Sequence, residues 1–250
     1  MIALQTTVKN NFNRAGQSYD LVACVQRQSA EFLVKKLLAF KIDPPKTIVD
    51  LGTGTGYMPA LLLKHFPSAS YLLNDIADKM LEVCQSKFAS YDNFSFSNSD
   101  MAGLAVKHYN LVVSNLALQW VDDLWGVLKD FHTNSDIFAF STLLNGTFEE
   151  WQNIINGYDK VRIIKQYPTR EQLIDYCDSI KDNSQLYYWT KDFPVAFDNP
   201  LAFIKYLKNL GAGAADNRIS IDGLKSLLKN KPEPFSVTYK IFFGIFKKVT

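Results

Sequence analysis

The feature that most constrains this chain is the run Asp50-Leu51-Gly52-Thr53-Gly54-Thr55-Gly56. It lies between an apolar stretch, 47–51, and a helix-like segment, YMPALLLKHFP, that Pro67 stops. Glycines at alternate positions let the backbone turn sharply and approach a ligand with no Cβ in the way. A helix that begins straight after such a turn presents unpaired N–H groups, which favour a polar or anionic group. The spacing is GxGxG. The dinucleotide fingerprint GxGxxG would need a glycine where Tyr57 stands.

Around this loop the chain alternates. SYLLND, FSFSNSD, YNLVVSNLALQW and IFAFSTLL read as strands, and IADKMLEVCQSKFASY and LWGVLKDF as helices between them. That order predicts a parallel sheet covered on both faces. Upstream, residues 19–41 carry apolar side chains at helical spacing and end before Pro44-Pro45, which predicts one helix. After Leu144 the rhythm changes. Helical FEEWQNIINGYDKVRIIKQY leads to a short helix, PTREQLIDYC, with Thr169 as its cap. Aromatic QLYYWTKDFPVAF is strand-like, two more helices follow, and SVTYKIFFGIFKKV closes as a strand. The expected division is a core over 1–150, a mostly helical cap over 151–235, and a final strand over 236–250 that returns to the sheet.

Composition removes several classes. With 250 residues, 47% hydrophobic and 21% charged, the chain can bury a core and is not a disordered solvating sequence. Cys24, Cys84 and Cys177 are far apart with no CxxC, and His65, His108 and His132 are scattered, so no disulfide framework and no metal site are expected. No apolar run approaches the ~18 residues of a membrane span. The start, MIALQTTVKNNFNRAGQSYD, is polar and lacks a signal-peptide core, so a cytoplasmic protein with no membrane partner is expected. A net charge of +2 does not call for nucleic acid. The charge is uneven, with 12 Lys/Arg against 15 Asp/Glu in residues 1–150 and 15 against 10 in residues 151–250. The later part would suit an acidic partner.

Two further acids stand at strand ends. Asp75 lies 19 residues after Gly56, where a carboxylate can accept both hydroxyls of a ribose. Asp100, followed by Met101, suits an adenine amino group with an apolar neighbour for the ring. Asp50, Asp75 and Asp100 in order behind a GxGxG loop resemble the S-adenosylmethionine site of class I methyltransferases. The resemblance implies a Rossmann-like α/β fold with a mostly parallel seven-stranded sheet. It also implies S-adenosylmethionine as cofactor without a metal, held by Asp50, Gly52, Gly54, Gly56, Asp75, Ile76, Asp100 and Met101, together with Gln26 and Asn115.

The flanking segments narrow it. FNRAGQSYDLVACVQRQSA, SNLALQWVDDL, STLLNGTFEEW, FIKYLKNLGAGA and VTYKIFFGIF resemble elements of the malonyl-acyl-carrier-protein O-methyltransferase family of early biotin synthesis, from about Phe12 to Val249. The resemblance implies methyl transfer to the free carboxylate of a malonyl thioester borne by an acidic acyl carrier protein. That nucleophile is already ionised at neutral pH and needs no base. Tyr19 is the expected orienting residue, Arg14 and Lys208 would meet the substrate's charges, and Gln119 and Trp120 would form a wall. Lys165 stands where the family's cap usually has an arginine, which weakens any bidentate grip there. Lys205, Lys208, Arg218, Lys225 and Lys229 form the expected carrier face, on a monomer. The alternatives are a methyltransferase for another small carboxylate or hydroxyl, and a non-methylating assembly factor of the same fold.

Overall fold

The apolar stretch before the glycine loop forms strand β1 (Thr47–Leu51), whose last four residues are buried. Continuous burial without alternation marks a strand covered on both faces. A computed structural model, describing residues 2–105, 107–156, 166–212, 221–229 and 233–249, sets β1 inside one seven-stranded sheet. Helices α1 (Ile2–Ala15), α2 (Tyr19–Val22) and α3 (Cys24–Leu38) precede it. After it come α4 (Tyr57–Leu63), β2 (Ser70–Asn74), α5 (Asp78–Phe88), β3 (Phe94–Ser97), β4 (Tyr109–Asn115), α6 (Leu124–Thr133) and β5 (Ser135–Leu143). The remainder is α7 (Glu149–Asn156), α8 (Arg170–Ile180), β6 (Ser184–Phe197), α9 (Pro200–Asn209), α10 (Ile221–Lys229) and β7 (Phe235–Lys248).

The sheet order is β3-β2-β1-β4-β5-β7-β6. Strands β1 to β5 pair in parallel, and β7 runs antiparallel to both β5 and β6. Successive side chains on a strand point to opposite faces, so each strand feeds two cores. Ile48, Val113 and Phe243 join one cluster with α3, α4 and α9, while Val49, Val112 and Phe242 join the other with α6 and α8. The expected mostly parallel seven-stranded sheet with helices on both faces is therefore present.

Three differences from the sequence reading have physical causes. The helix expected over 19–41 is broken at Ala23 (φ −77°, ψ 41°), where the chain turns so that α2 and α3 are separate. A further helix, α1, occupies most of the polar start. The stretch 151–235 is not uniformly a helical cap. β6 pairs with β7 over its full length, from Ser184↔Lys248 to Phe197↔Phe235, because β7 beyond β5 would otherwise be a long unpaired edge. Helix α8 also belongs to the layered core, where Leu173 and Cys177 are fully buried. It starts, as expected, at a capping box. The Thr169 hydroxyl accepts from the Gln172 N–H at 3.2 Å, and the Thr169 N–H donates to Gln172 Oε1 at 2.9 Å. No described helix is long and apolar enough to cross a membrane.

Candidate active site

The parallel strands β1, β2, β3 and β4 all end at the same edge of the sheet, and the crevice beyond the carboxyl ends of such strands is where open α/β sheets bind ligands. The glycine loop follows β1. Gly52, Gly54 and Gly56 all have positive φ, at 71°, 56° and 84°. The N–H groups of Gly52 and Thr53 both donate to the Asn74 carbonyl at 2.9 Å, which pins the loop to the end of β2. A Cβ on Gly52 would lie 2.3 Å from the Ala117 Cβ, so protein fills that side. A Cβ on Gly54 would meet nothing within 4 Å. Gly54 therefore faces open space, the place where backbone can approach a ligand closely.

That space is a cavity of about 670 Å³, its open mouth included, lined by Gly52, Gly54, Asp75, Ile76, Asp100 and Met101 among others. Asp75 is its most deeply set acid. One carboxylate oxygen accepts from the Gly54 N–H at 2.8 Å and the other from the Ala77 N–H at 2.8 Å. Each oxygen keeps a further lone pair for a ligand hydroxyl. Burial raises the Asp75 pKa to about 6 in spite of these donors. Asp100 holds its own turn through the Ala102 N–H at 3.1 Å and accepts from Gln5 Nε2 of α1. Helix α1 thus lies across the mouth, contributing Gln5, Val8 and Phe12 to the lining.

Behind the glycine loop is a second space of about 420 Å³ that includes Asp50, Gln26 and Arg27. Asp50 Oδ2 and Gln26 Oε1 are both buried with no hydrogen-bond partner among the described residues. Burial pushes the Asp50 pKa to about 7, because a carboxylate charge is costly away from water. Two unpartnered acceptors beside a guanidinium complement an α-amino acid group, with its ammonium donors and its carboxylate.

A third space, of about 490 Å³, opens on the other side and is lined by Phe12, Leu116, Gln119, Trp120, Tyr167 and Tyr239 among others. None of its described lining residues carries a formal charge. Tyr19 is the one described residue that lines all three spaces. Burial raises its pKa, with the Asp75 carboxylate adding to the effect, so it stays a protonated phenol, a donor and not a base. Leu116 forms part of the wall between the first and third spaces with an uncommon φ of 50°. Its N–H donates to Ser141 Oγ at 3.0 Å and its carbonyl accepts from Gln119 Nε2 at 2.6 Å. Backbone strain of this kind persists only where the surroundings hold it.

The structure gathers the expected Asp50, Gly52, Gly54, Asp75, Ile76, Asp100, Met101, Asn115, Gln26, Tyr19, Gln119 and Trp120 around these connected spaces. Gly56 supports the loop from below, where a Cβ would lie 2.8 Å from Cys84 Sγ. Asn115 is a brace. Its Nδ2 donates to the Gln26 carbonyl at 2.9 Å, and its Oδ1 accepts from Ser29 at 2.7 Å and Ser141 at 2.8 Å. Arg14 and Lys208 are the expected contacts for the substrate's charges. Both are exposed in the last turns of α1 and α9, and neither lines any of the three spaces. Lys165 lies outside the described residues. Sequence reasoning passed over Arg27, Gln5, Leu116, Tyr167 and Tyr239. Arg27 was visible in the Gln-Arg pair, whereas nothing local marks a leucine that will adopt positive φ. No group of three or more His, Cys, Asp or Glu among the described residues is disposed to hold a metal.

Residues 48–134 match a family described as a methyltransferase domain. Among solved structures, a magnesium protoporphyrin IX methyltransferase from Synechocystis PCC 6803 with bound SAH aligns over 98% of this chain and 100% of its own, with a TM-score of 0.62 at 16% identity. The YcgJ protein of Bacillus subtilis aligns over 87% and 98%, with a TM-score of 0.57 at 13% identity. These show a shared fold. The malonyl-[acyl-carrier protein] O-methyltransferase of Magnetococcus marinus is 28% identical over 96% of this chain and 92% of its own length. The enzyme of the same name from Neorickettsia risticii is 30% identical over 95% and 94%. With 30% identity to one of these enzymes and likeness across nearly its whole length, this chain belongs to the malonyl-[acyl-carrier protein] O-methyltransferase family.

Proposed function

We propose that this chain transfers the methyl group of S-adenosylmethionine to the free carboxylate of a malonyl thioester presented by an acyl carrier protein, in early biotin synthesis. The observation that carries the reading is the meeting of three spaces at Tyr19: one with acceptors for an adenosine, one matched to an α-amino acid, and one uncharged and phenol-lined. The residues fit the donor. Asp75 would take the ribose hydroxyls and Asp100 with Met101 the adenine. The unpartnered oxygens of Asp50 and Gln26 would take the ammonium, and Arg27 the carboxylate. When bound, this donor supplies an electrophilic methyl on a sulfonium.

The chain's own residues hold, orient and exclude water. The acceptor carboxylate attacks while ionised, so no proton has to move. Opposite charges are lost together as the methyl passes, so ion pairing at the site would stabilise the ground state more than the transition state. Positioning is the remaining lever, and well-oriented reactions gain up to ~7–11 kcal/mol from it. Tyr19 would donate to one carboxylate oxygen and leave the other facing the methyl. Tyr167, Leu210 and Ala212 of the third space come from 151–235, which supports assigning much of that segment to the acceptor, 1–150 to the donor, and 236–250 to the sheet. Lys205 and Lys208 on α9 and Lys225 and Lys229 on α10 are exposed, as a surface for an acidic carrier requires. Arg218 lies outside the described residues.

The test is transfer of labelled methyl from S-adenosylmethionine to malonyl-acyl-carrier protein. The expected product is a carrier-bound, base-labile methyl ester, absent when the carrier bears acetyl in place of malonyl. Labelling of a hydroxyl acceptor in preference to the malonyl group would overturn the reading.

A further inference from the structure

Tyr239 lines the third space, and its hydroxyl lies 2.9 Å from that of Tyr206. Both side chains are buried, and neither hydroxyl has another hydrogen-bond partner among the described residues. Each phenol brings one proton. One proton is used between the two oxygens, so the pair holds a second with no acceptor among the described residues. Tyr239 lines the space and Tyr206 does not. A ligand oxygen there selects one arrangement: Tyr206 donates to Tyr239, and Tyr239 donates to the ligand.

The pair is preorganised. Tyr239 sits on β7 opposite Phe193, with the edge of Phe148 against it at 4.5 Å between ring centres. Tyr206 on α9 packs against Phe197 at 5.2 Å. Burial raises the pKa of both phenols, so both keep their protons near neutral pH. A neutral donor also suits the chemistry. A fixed cation would stabilise the acceptor's negative charge before reaction and repel the sulfonium, whereas a phenol can hold a neutral carbonyl without doing either.

We propose that Tyr239, oriented by Tyr206, hydrogen-bonds the second carbonyl of the acceptor, the thioester C=O, while Tyr19 holds the reacting carboxylate. The inference rests on the proposed malonyl reaction and deepens it. It makes the site selective for a carboxylate with a carbonyl one methylene away. Tyr239 is then a binding residue, and Tyr206 a positioning residue that acts only through it.

The experiment compares two acceptors with the full chain: malonyl-pantetheine, and its carboxyethyl thioether, in which CH₂ replaces the thioester carbonyl. The wild-type protein should prefer the thioester by about tenfold or more in kcat/KM, the size of one neutral hydrogen bond. Tyr239→Phe should lose that preference, lowering kcat/KM on the thioester through KM and leaving the thioether unchanged. Tyr206→Phe should lose part of it, and the double variant should be no worse than Tyr239→Phe alone. Unchanged SAH-induced thermal stabilisation would show an intact donor site. Equal losses on both acceptors, or a retained preference in Tyr239→Phe, would overturn the assignment, and additive effects in the double variant would overturn the relay. If Tyr239→Phe does not fold, an undiminished preference in Tyr206→Phe overturns it alone. A wild-type protein inactive on malonyl-pantetheine and malonyl-acyl-carrier protein alike would sink the reaction itself, an outcome distinct from all of these.

Discussion

The hydroxyl of Thr55 donates to the carboxylate of Asp20 at 2.6 Å, tying the short helix before Ala23 to the glycine loop. The tie is reinforced from both sides. Lys87 Nζ donates to the Thr55 carbonyl at 2.6 Å and lies 3.8 Å from the other Asp20 oxygen, and Arg27 donates to the Asp20 carbonyl at 2.5 Å. Tyr19 is the next residue back along the chain, so the tie anchors the backbone beside the central phenol.

Loosening this tie should therefore harm catalysis more than folding. Asp20 is exposed, so Asp20→Ala should shift the melting temperature little. One lost charged hydrogen bond is worth about 1.5–3 kcal/mol, which sets an upper bound of roughly 10- to 100-fold on the fall in kcat/KM. Thr55→Val should give a smaller loss in the same direction. Steady-state kinetics beside thermal unfolding check this, and a large fall in melting temperature with unchanged kinetics would reverse the assignment.

Two glycines of the loop should fail in different ways. At Gly52 an added Cβ would meet Ala117 at 2.3 Å, so Gly52→Ala should destabilise the fold itself. At Gly54 an added Cβ has no described atom within 4 Å, so Gly54→Val should fold, with about 1–2 kcal/mol of strain from its positive φ. It should lose donor affinity because its side chain fills the cavity. Calorimetric titration with SAH, paired with melting curves, separates the two. Normal SAH binding by Gly54→Val would mean that the donor does not cross the loop there.

Donor binding should strengthen as pH rises from 5.5 to 8. Burial lifts Asp50 to about 7 and Asp75 to about 6 from an ordinary 3.8. Because the folded values are the higher ones, protonation favours the donor-free fold. Their contribution to its stability is fully present below 3.8 and is lost as pH rises through 6 and 7. A bound ammonium has the opposite preference, since it requires the charged carboxylate. The rise in melting temperature caused by SAH should thus grow across this range. His132, which burial holds below its usual value, titrates with and without ligand and largely cancels in that difference. Asp50→Asn should flatten the part of the rise centred near pH 7, and an SAH effect equal at both ends of the range would remove Asp50 from the donor site.

Much of this architecture could be read along the chain, and what could not has a common cause. β1 and β4 centre on the apolar runs Ile48-Val49 and Leu111-Val112-Val113, and a run buried on both faces needs no context to be recognised. Asp75 and Asp100 follow directly, because a residue at a strand's end lies at the sheet's edge wherever the strand is placed. The break at Ala23 was hidden, since apolar spacing continues through it, and the bond from Asp20 to Thr55 beside it joins segments 35 residues apart. The phenols of Tyr206 and Tyr239 meet only because α9 packs near β7, and neither segment alone signals the other.

The central phenol gives the sharpest prediction. Tyr19 touches all three spaces and cannot accept a proton easily, since burial and the nearby Asp75 charge raise its pKa. If it orients the reacting carboxylate, its hydroxyl matters and its ring does not. Tyr19→Phe should keep the fold and bind SAH nearly as the wild type does, because the ring still fills the junction. Its kcat should fall by ~10²-fold if ~2.7 kcal/mol of orientation is lost. At saturating donor the kcat–pH profile should stay flat from pH 6 to 8 in both proteins, because Asp50 and Asp75 are then held in their ionised forms and the nucleophile has no proton to lose. A rising limb in the wild type that disappears in Tyr19→Phe would mean that the phenol does transfer a proton. Full activity in Tyr19→Phe would mean that the residue serves packing alone.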